Sequence, residues 1–243
     1  MYNILITYLK IQRIAIIVSV INEKGGSGKT TLAVNLACKL SQERDEVLLI
    51  DADLQRSTEA FVNIRTNADL PLIFNSVTKL GDGLAREVRS LSIKYDSIII
   101  DTCGRDSKEM RQALAIADIV IIPIVPSQYD VAVLDKMISL YDEVISGSLR
   151  EEEPIALIVI DKASPNPFLE KKINDLRDYI NEKNLKNLHL MNSIIHEREA
   201  FKNATAAGQG ITEFCNKTDK AYIDFVSFYE ELIAYINQQI NKE

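Results

Sequence analysis

Short runs of apolar residues alternate along the chain with segments in which apolar positions recur every three or four residues. The runs RIAIIVSV (13–20), EVLLID (46–51), SIIIDT (97–102), DIVIIPIV (118–125) and PIALIVID (154–161) are rich in Ile and Val and almost free of polar residues. That is the pattern of strands buried on both faces, because a strand with one wet face alternates instead. Between the runs, Lys29 to Gln42, Lys108 to Ala117, Val131 to Ile145 and Phe168 to Asn181 carry helical spacing. Strand, helix, strand in repetition predicts an α/β fold: a mostly parallel twisted sheet with helices on both faces, and ligands beyond the carboxyl ends of the strands.

The first apolar stretch, MYNILITYLKIQRIAIIVSV, has the look of a membrane span or leader, but Lys10, Gln12 and Arg13 interrupt it and no small-residue cleavage site follows. Residues 1–12 are therefore expected to be a short extension, and residues 13–243 a single domain without a linker. Length and composition agree: 243 residues, 47% hydrophobic and 26% charged, suit one large soluble core. The three cysteines, Cys38, Cys103 and Cys215, stand far apart with no partner at metal-ligand spacing, which fits a reducing cytosol. A net charge of -7 gives no general attraction to nucleic acid or anionic lipid, so such binding needs a local patch.

Chemistry should follow the strands. After the first comes Lys24-Gly25-Gly26-Ser27-Gly28-Lys29-Thr30-Thr31. Glycines at these spacings let consecutive backbone N–H groups surround phosphate oxygens. Lys29 then supplies a point charge to the β and γ phosphates, and the Thr30 hydroxyl can ligate Mg²⁺ at a helix N-terminus. A carboxylate at the end of a buried strand should hold the metal from the far side, and Asp101 in SIIIDTCG stands there. Asp53, in LLIDADLQ with Asp51 before it, is the candidate for orienting the attacking water or steadying the metal shell. Two turn-forming aspartates are the competing reading.

An early lysine in K-G-G-x-G-K-[ST], then D-x-D-x-Q (Asp51, Asp53, Gln55) and a strand ending in Asp-Thr, together resemble the deviant Walker A ATPases of the ParA/MinD family. The segment IHEREAFKNATAAG (195–208) is similar to the I-x-x-R-x-A-[YF] stretch and following glycine of short ParA-type partition ATPases, and the lack of a DNA-binding segment ahead of the loop fits that unfused type. The resemblance implies an ATP- and Mg²⁺-dependent homodimer in which Lys24 reaches the nucleotide of the other subunit. It also implies slow, partner-stimulated hydrolysis and non-specific DNA as the matrix. A centromere-binding, ParB-like adaptor is the implied partner, and the nucleoid the place of action. Asp161 stands where relatives often carry an Asn that helps hold the adenine, and Cys103 where proline is common.

Lys171, Lys172, Arg177, Arg198, Lys202, Lys217 and Lys220 fall in the later part of the chain, where the family's DNA surface lies, although intervening acidic residues leave solvated helix faces an equal reading. The terminal segment 221–243 places Ile223, Val226, Tyr229 or Glu230, Ile233 and Ile236 or Ile240 at helical spacing with an acidic opposite face. Anionic headgroups repel such a face, so a core-packed helix is expected and no stable membrane anchor. A MinD-like membrane-positioning ATPase and a dethiobiotin-synthetase-like ligase remain the alternatives.

Overall fold

The computed structural model describes residues 15–126, 128–148, 152–166, 170–183 and 188–240. The extension expected over residues 1–12 lies outside them. Seven strands, β1 (Ile16–Val20), β2 (Val47–Ala52), β3 (Asn75–Thr78), β4 (Ser97–Thr102), β5 (Ile119–Ile124), β6 (Ile155–Ala163) and β7 (Leu188–His196), form one sheet in the order β3-β2-β4-β1-β5-β6-β7. Every pair is parallel. The apolar runs read as strands are therefore β1, β2, β4, β5 and β6. The edge strand β3 is only half-buried or exposed, and its sequence NSVT lacks the signal of the others.

Side chains sort by alternation, as the period of a strand requires. Val18 and Val20 of β1, Ile99 of β4 and Ile119 and Ile121 of β5 enter one core with Leu32, Leu36 and Leu40 of α1 (Lys29–Gln42). The same core takes Phe201 of α7 (Glu199–Ala206), Ile211 of α8 (Ile211–Phe214), and Phe225, Phe228 and Leu232 of α9 (Lys220–Ile240). On the opposite face, Ile17, Ile98 and Ile100 pack with Leu84 and Val88 of α3 (Leu84–Leu91). Val120, Ile122 and Ile158 pack there with Leu114 of α4 (Lys108–Ile116), Leu134 of α5 (Gln128–Ser146) and Ile173 of α6 (Glu170–Glu182). At roughly 1.5–3 kcal/mol for each fully buried aliphatic side chain, this double layer is what orders the strands.

The terminal helix packs on the core with Tyr229 and Ile236 buried as expected, but the expected Ile223 faces outward and residues outside the expected set take its place. Ala221, Phe225, Phe228, Tyr229, Leu232 and Ile236 are buried, while Ile223 is 48% exposed. The phenylalanines carry more area than the isoleucines and decide which stripe turns inward. No described helix is long and apolar enough to cross a membrane.

The remaining helix, α2 (Ser57–Asn67), is tied to the C-terminal region by Arg65. Its guanidinium, 2% exposed, makes two 2.9 Å bonds to the Glu213 carboxylate and donates to the Gly208 and Pro71 carbonyls. A Cβ at Gly208, whose φ is +66°, would lie 2.5 Å from the Arg65 Cα, so the glycine allows this close approach.

Candidate nucleotide site

The phosphate loop lies at the carboxyl end of β1, the central strand, with β4 and β5 on its flanks. Gly26 and Gly28 adopt φ of +77° and +95°, the left-handed region open to glycine. Gly28 is the N-cap of α1 and offers no side-chain cap, so the first N–H groups of this helix face the loop without an intramolecular acceptor from the cap residue. Helix α4, by contrast, is capped by Ser107, whose hydroxyl accepts from Met110 N at 3.1 Å. An uncapped N-terminus under a glycine loop is built for an anion.

Lys29 is buried, and its ammonium donates to the Lys24 carbonyl at 3.0 Å. Burial lowers its pKa, while the carboxylates of Asp101 and Asp53 pull it back up. The Thr30 hydroxyl donates to Asp101 Oδ2 at 2.6 Å. Asp101 itself is fully buried, and desolvation pushes its pKa to about 7. Its Oδ1 has no hydrogen-bond partner, nor has the buried Ser27 hydroxyl. Unpartnered buried oxygens are costly and point to a missing ligand. Among the described residues no group of three or more His, Cys, Asp or Glu forms a metal cage. A cation here would therefore rest on Thr30, Asp101 and oxygens of a bound phosphate, a set of hard oxygens that suits Mg²⁺.

Asp51 and Asp53 divide the work of the neighbouring loop. Asp51 is buried and accepts from Asp53 N at 3.0 Å and from Thr58 N at 2.9 Å, which anchors the start of α2. Asp53, half-buried, accepts from Gln55 N at 3.0 Å. The side chain of Leu54 beside it is 62% exposed. Both carboxylates thus make turns, and Asp53 does so at the edge of the site, within electrostatic range of Lys29.

Three features escaped the sequence reading. The buried Asn22 donates to Pro123 O at 2.6 Å and accepts from Lys24 N at 2.7 Å, clamping the start of the loop to β5. Gly104 packs on the loop so closely that a Cβ there would lie 2.8 Å from Gly25 Cα. Lys162 donates from its ammonium to Gly26 O at 2.6 Å. A polar residue ending an apolar run and a glycine just after Asp101 were visible signals for the first two. Nothing local marks Lys162.

Asp161 is buried directly beneath the loop, since a Cβ at Gly28 would fall 1.7 Å from its Oδ2. Burial raises its pKa to about 7, and Lys162 N donates to its Oδ1 at 2.8 Å. Cys103 is a buried free thiol 3.3 Å from the Ser107 hydroxyl.

The later basic residues are not gathered into one patch. Lys171 and Lys172 are exposed on α6 and Lys202 on α7, helices that cover opposite faces of the sheet. Arg177 donates to Asn192 O at 2.7 Å, and Arg198 pairs with Asp224 at 2.6 Å, so both guanidinium groups are held by the protein itself.

The nucleotide-binding domain described as CobQ/CobB/MinD/ParA matches residues 18–211. The chain belongs to this family. Maintenance of carboxysome distribution protein A of Gloeobacter kilaueensis is 36% identical over 119 residues, 49% of this chain and 53% of that protein, so the match spans about half of the relative. Chromosome partitioning protein ParA of Myxococcus xanthus is 30% identical over 172 residues, 54% of this chain and 59% of that one. Among solved structures, MinD of Aquifex aeolicus superposes with a TM-score of 0.70 at 19% identity, over 90% of this chain and 98% of its own. A plasmid partition protein of Borrelia burgdorferi bound to AMPPNP gives 0.66 at 21%, over 91% and 99%. The family makes this a nucleotide-binding domain, and the fold is that of the ParA/MinD type.

Proposed function

We propose that the chain is a ParA-type ATPase that dimerises on Mg-ATP and positions a large cargo, a replicon or an organelle, by way of non-specific DNA. The observation that carries this reading is the arrangement of two lysines around one loop. Lys29 points inward and at present borrows the Lys24 carbonyl, an acceptor that phosphate oxygens would replace. Lys24 stands at the loop's mouth, with its backbone fixed by Asn22. A lysine so placed at the edge can serve a nucleotide held by a second copy, where it offsets the mutual repulsion of two facing triphosphates.

In this reading Lys29 and the N–H groups of residues 25–31 bind the β and γ phosphates, and Thr30 with Asp101 holds the cation. Mg²⁺, when bound, supplies Lewis-acid polarisation of the phosphoryl oxygens. Asp53 aims the attacking water, and Asp161 supports the loop on the adenine side. Hydrolysis removes the γ phosphate and with it the acceptor that Lys24 of the other subunit needs, so the dimer loosens. The relatives named for chromosome partitioning and carboxysome distribution support the cargo class, and a ParB-like adaptor would be the stimulating partner on the nucleoid.

Lys24→Ala and Lys29→Ala test this directly. Lys29→Ala should abolish nucleotide binding, whereas Lys24→Ala should bind ATP and remain monomeric by light scattering. ATP-dependent dimers of Lys24→Ala equal to the parent's would remove the trans role. Liposome co-sedimentation with ATP would favour a MinD-like membrane role instead.

A further inference from the structure

On the far side of the loop from Asp101 stands a cation that the loop motif does not contain. Lys162 lies near the carboxyl end of β6, two strands from β1 on the side opposite β4. Its backbone is left-handed, with φ of +51°, a conformation that costs a non-glycine residue about 1 kcal/mol or more. The carboxylate of the buried Asp161, accepting from Lys162 N at 2.8 Å, holds that turn. The turn sends the side chain back over the loop. Its ammonium donates to Gly26 O at 2.6 Å, and its Cε lies 3.7 Å from where a Gly28 Cβ would stand.

This tie leaves the phosphate cradle open. In a loop of this kind the N–H groups converge on the anion and the carbonyls turn outward, so an ammonium on the Gly26 carbonyl braces the loop from behind. With Thr30 and Asp101 marking the metal end of a bound nucleotide on the β4 side, the nucleoside end must leave on the β5–β6 side. There the aliphatic stem of Lys162, pinned at its tip, is the surface a planar base would meet, as lysine stems readily cover apolar surface while the charge is satisfied elsewhere.

We propose that Lys162 is a nucleoside-contacting residue: its stem forms a wall of the purine site, and its ammonium locks that wall to the Gly26 carbonyl. The inference rests on the loop's being a nucleotide site and adds to it the residue that separates binding of a nucleoside triphosphate from binding of its phosphates alone.

The test is calorimetric titration of the full chain with Mg-ATP and with magnesium tripolyphosphate, which lacks the nucleoside. Lys162→Ala should weaken ATP about tenfold or more, as expected for loss of several buried methylene contacts, and change tripolyphosphate less than about threefold. Lys162→Met keeps most of the stem but loses its tether to Gly26, so its ATP affinity should fall between those of the parent and Lys162→Ala, with tripolyphosphate again changed less than about threefold. Tripolyphosphate affinity also reports that the cradle is still folded. Equal weakening of both ligands in both variants would make Lys162 a phosphate ligand, and tightening of both a self-inhibitory latch; either overturns the inference, as does no change. A parent that binds tripolyphosphate and ATP equally also overturns it, while a parent that binds neither overturns the nucleotide-site reading itself.

Discussion

Asp51 and Asp101 are register partners on the adjacent parallel strands β2 and β4, both buried, yet their oxygens are used in opposite ways. Both Asp51 oxygens accept backbone N–H groups, from Asp53 and Thr58. Asp101 has one oxygen on the Thr30 hydroxyl and the other without a partner. Two neighbouring carboxylates in one dry layer raise each other's cost of ionisation, and Asp51 is among the groups that push Asp101 upward.

The two should therefore fail differently. Asp51→Ala strands two N–H groups, one of them on the buried Thr58, and should cost roughly 1–3 kcal/mol for each buried group left unsatisfied. Asp101→Asn relieves a buried charge with no full set of partners, so the nucleotide-free protein should be as stable as the parent or more so, while Mg²⁺-dependent tightening of ATP disappears. Urea titrations with and without Mg-ATP check both; a large loss of stability in Asp101→Asn would contradict the assignment.

Arg65 joins α2, whose first turn is anchored by Asp51, to the Gly208–Glu213 segment through a buried bidentate pair. Arg65→Ala removes the guanidinium from beside Glu213, whose side chain is only 18% exposed, and is expected to cost up to about 3 kcal/mol, against much less for the exposed pair of Lys202 and Glu199. Chemical denaturation of Arg65→Ala and Lys202→Ala gives the comparison. Similar costs for the two would mean that the Arg65 network adds little.

The fold was legible because a sheet covered on both faces writes itself as uninterrupted Ile and Val runs, from Ile98 to Ile100 and from Ile119 to Ile122. The loop was legible because its glycines, Lys29 and Thr30 are consecutive in the chain. Strand β3 was not, since an edge strand such as NSVT needs no buried side chains to hold its hydrogen bonds. The terminal helix was found with Tyr229 and Ile236 on its buried side but with Ile223 placed there too, because spacing alone does not weigh Phe225 and Phe228 against Ile223. Lys162 and Gly104 act on the loop from distant segments, and a contact between residues 162 and 26 leaves no local trace.

Asp161 and Asp101 also make stability depend on pH in an unusual sense. Each carboxyl has a folded pKa near 7 against an ordinary value of 3.8, so the native state binds more protons than the unfolded chain between those limits. The stability this gives is complete below about pH 4 and is lost as pH rises toward 7, at up to about 1.4 kcal/mol per pH unit and group. Asp161→Asn removes one such dependence. The difference in unfolding free energy, variant minus parent, should grow from pH 5 to pH 8, and a flat difference would show that Asp161 is ionised throughout.

Asp53 should matter after binding. Its carboxylate makes a short-range turn with Gln55 N, so Asp53→Ala should leave the phosphate cradle as it is. If it aims the attacking water, ATP affinity should stay within about threefold while turnover falls by about a hundredfold or more, the range typical of general-base removal. Titration and single-turnover hydrolysis separate the two quantities. Equal loss of affinity and rate would instead place Asp53 in the metal shell.

DNA binding is the most exposed part of the functional reading, because a net charge of -7 opposes it and the lysines are divided between helices on opposite faces. With Arg177 and Arg198 occupied internally, Lys171 and Lys172 remain exposed on α6, and Lys202, paired with Glu199, on α7. A single chain then neutralises few phosphates, and affinity that depends on counterion release should be weak. Two chains joined by ATP double the phosphate contacts on one duplex, and linked contacts multiply rather than add. A fluorescent duplex of arbitrary sequence should therefore bind with ATP and not with ADP, and lose affinity steeply between about 50 and 200 mM salt. Lys171→Glu and Lys202→Glu should each lower both the affinity and the salt slope. Binding that ignores nucleotide, or none at low salt with ATP, would sink the DNA-matrix role while leaving the ATP-dependent dimer intact, and the cargo would then have to be held through a protein or membrane scaffold.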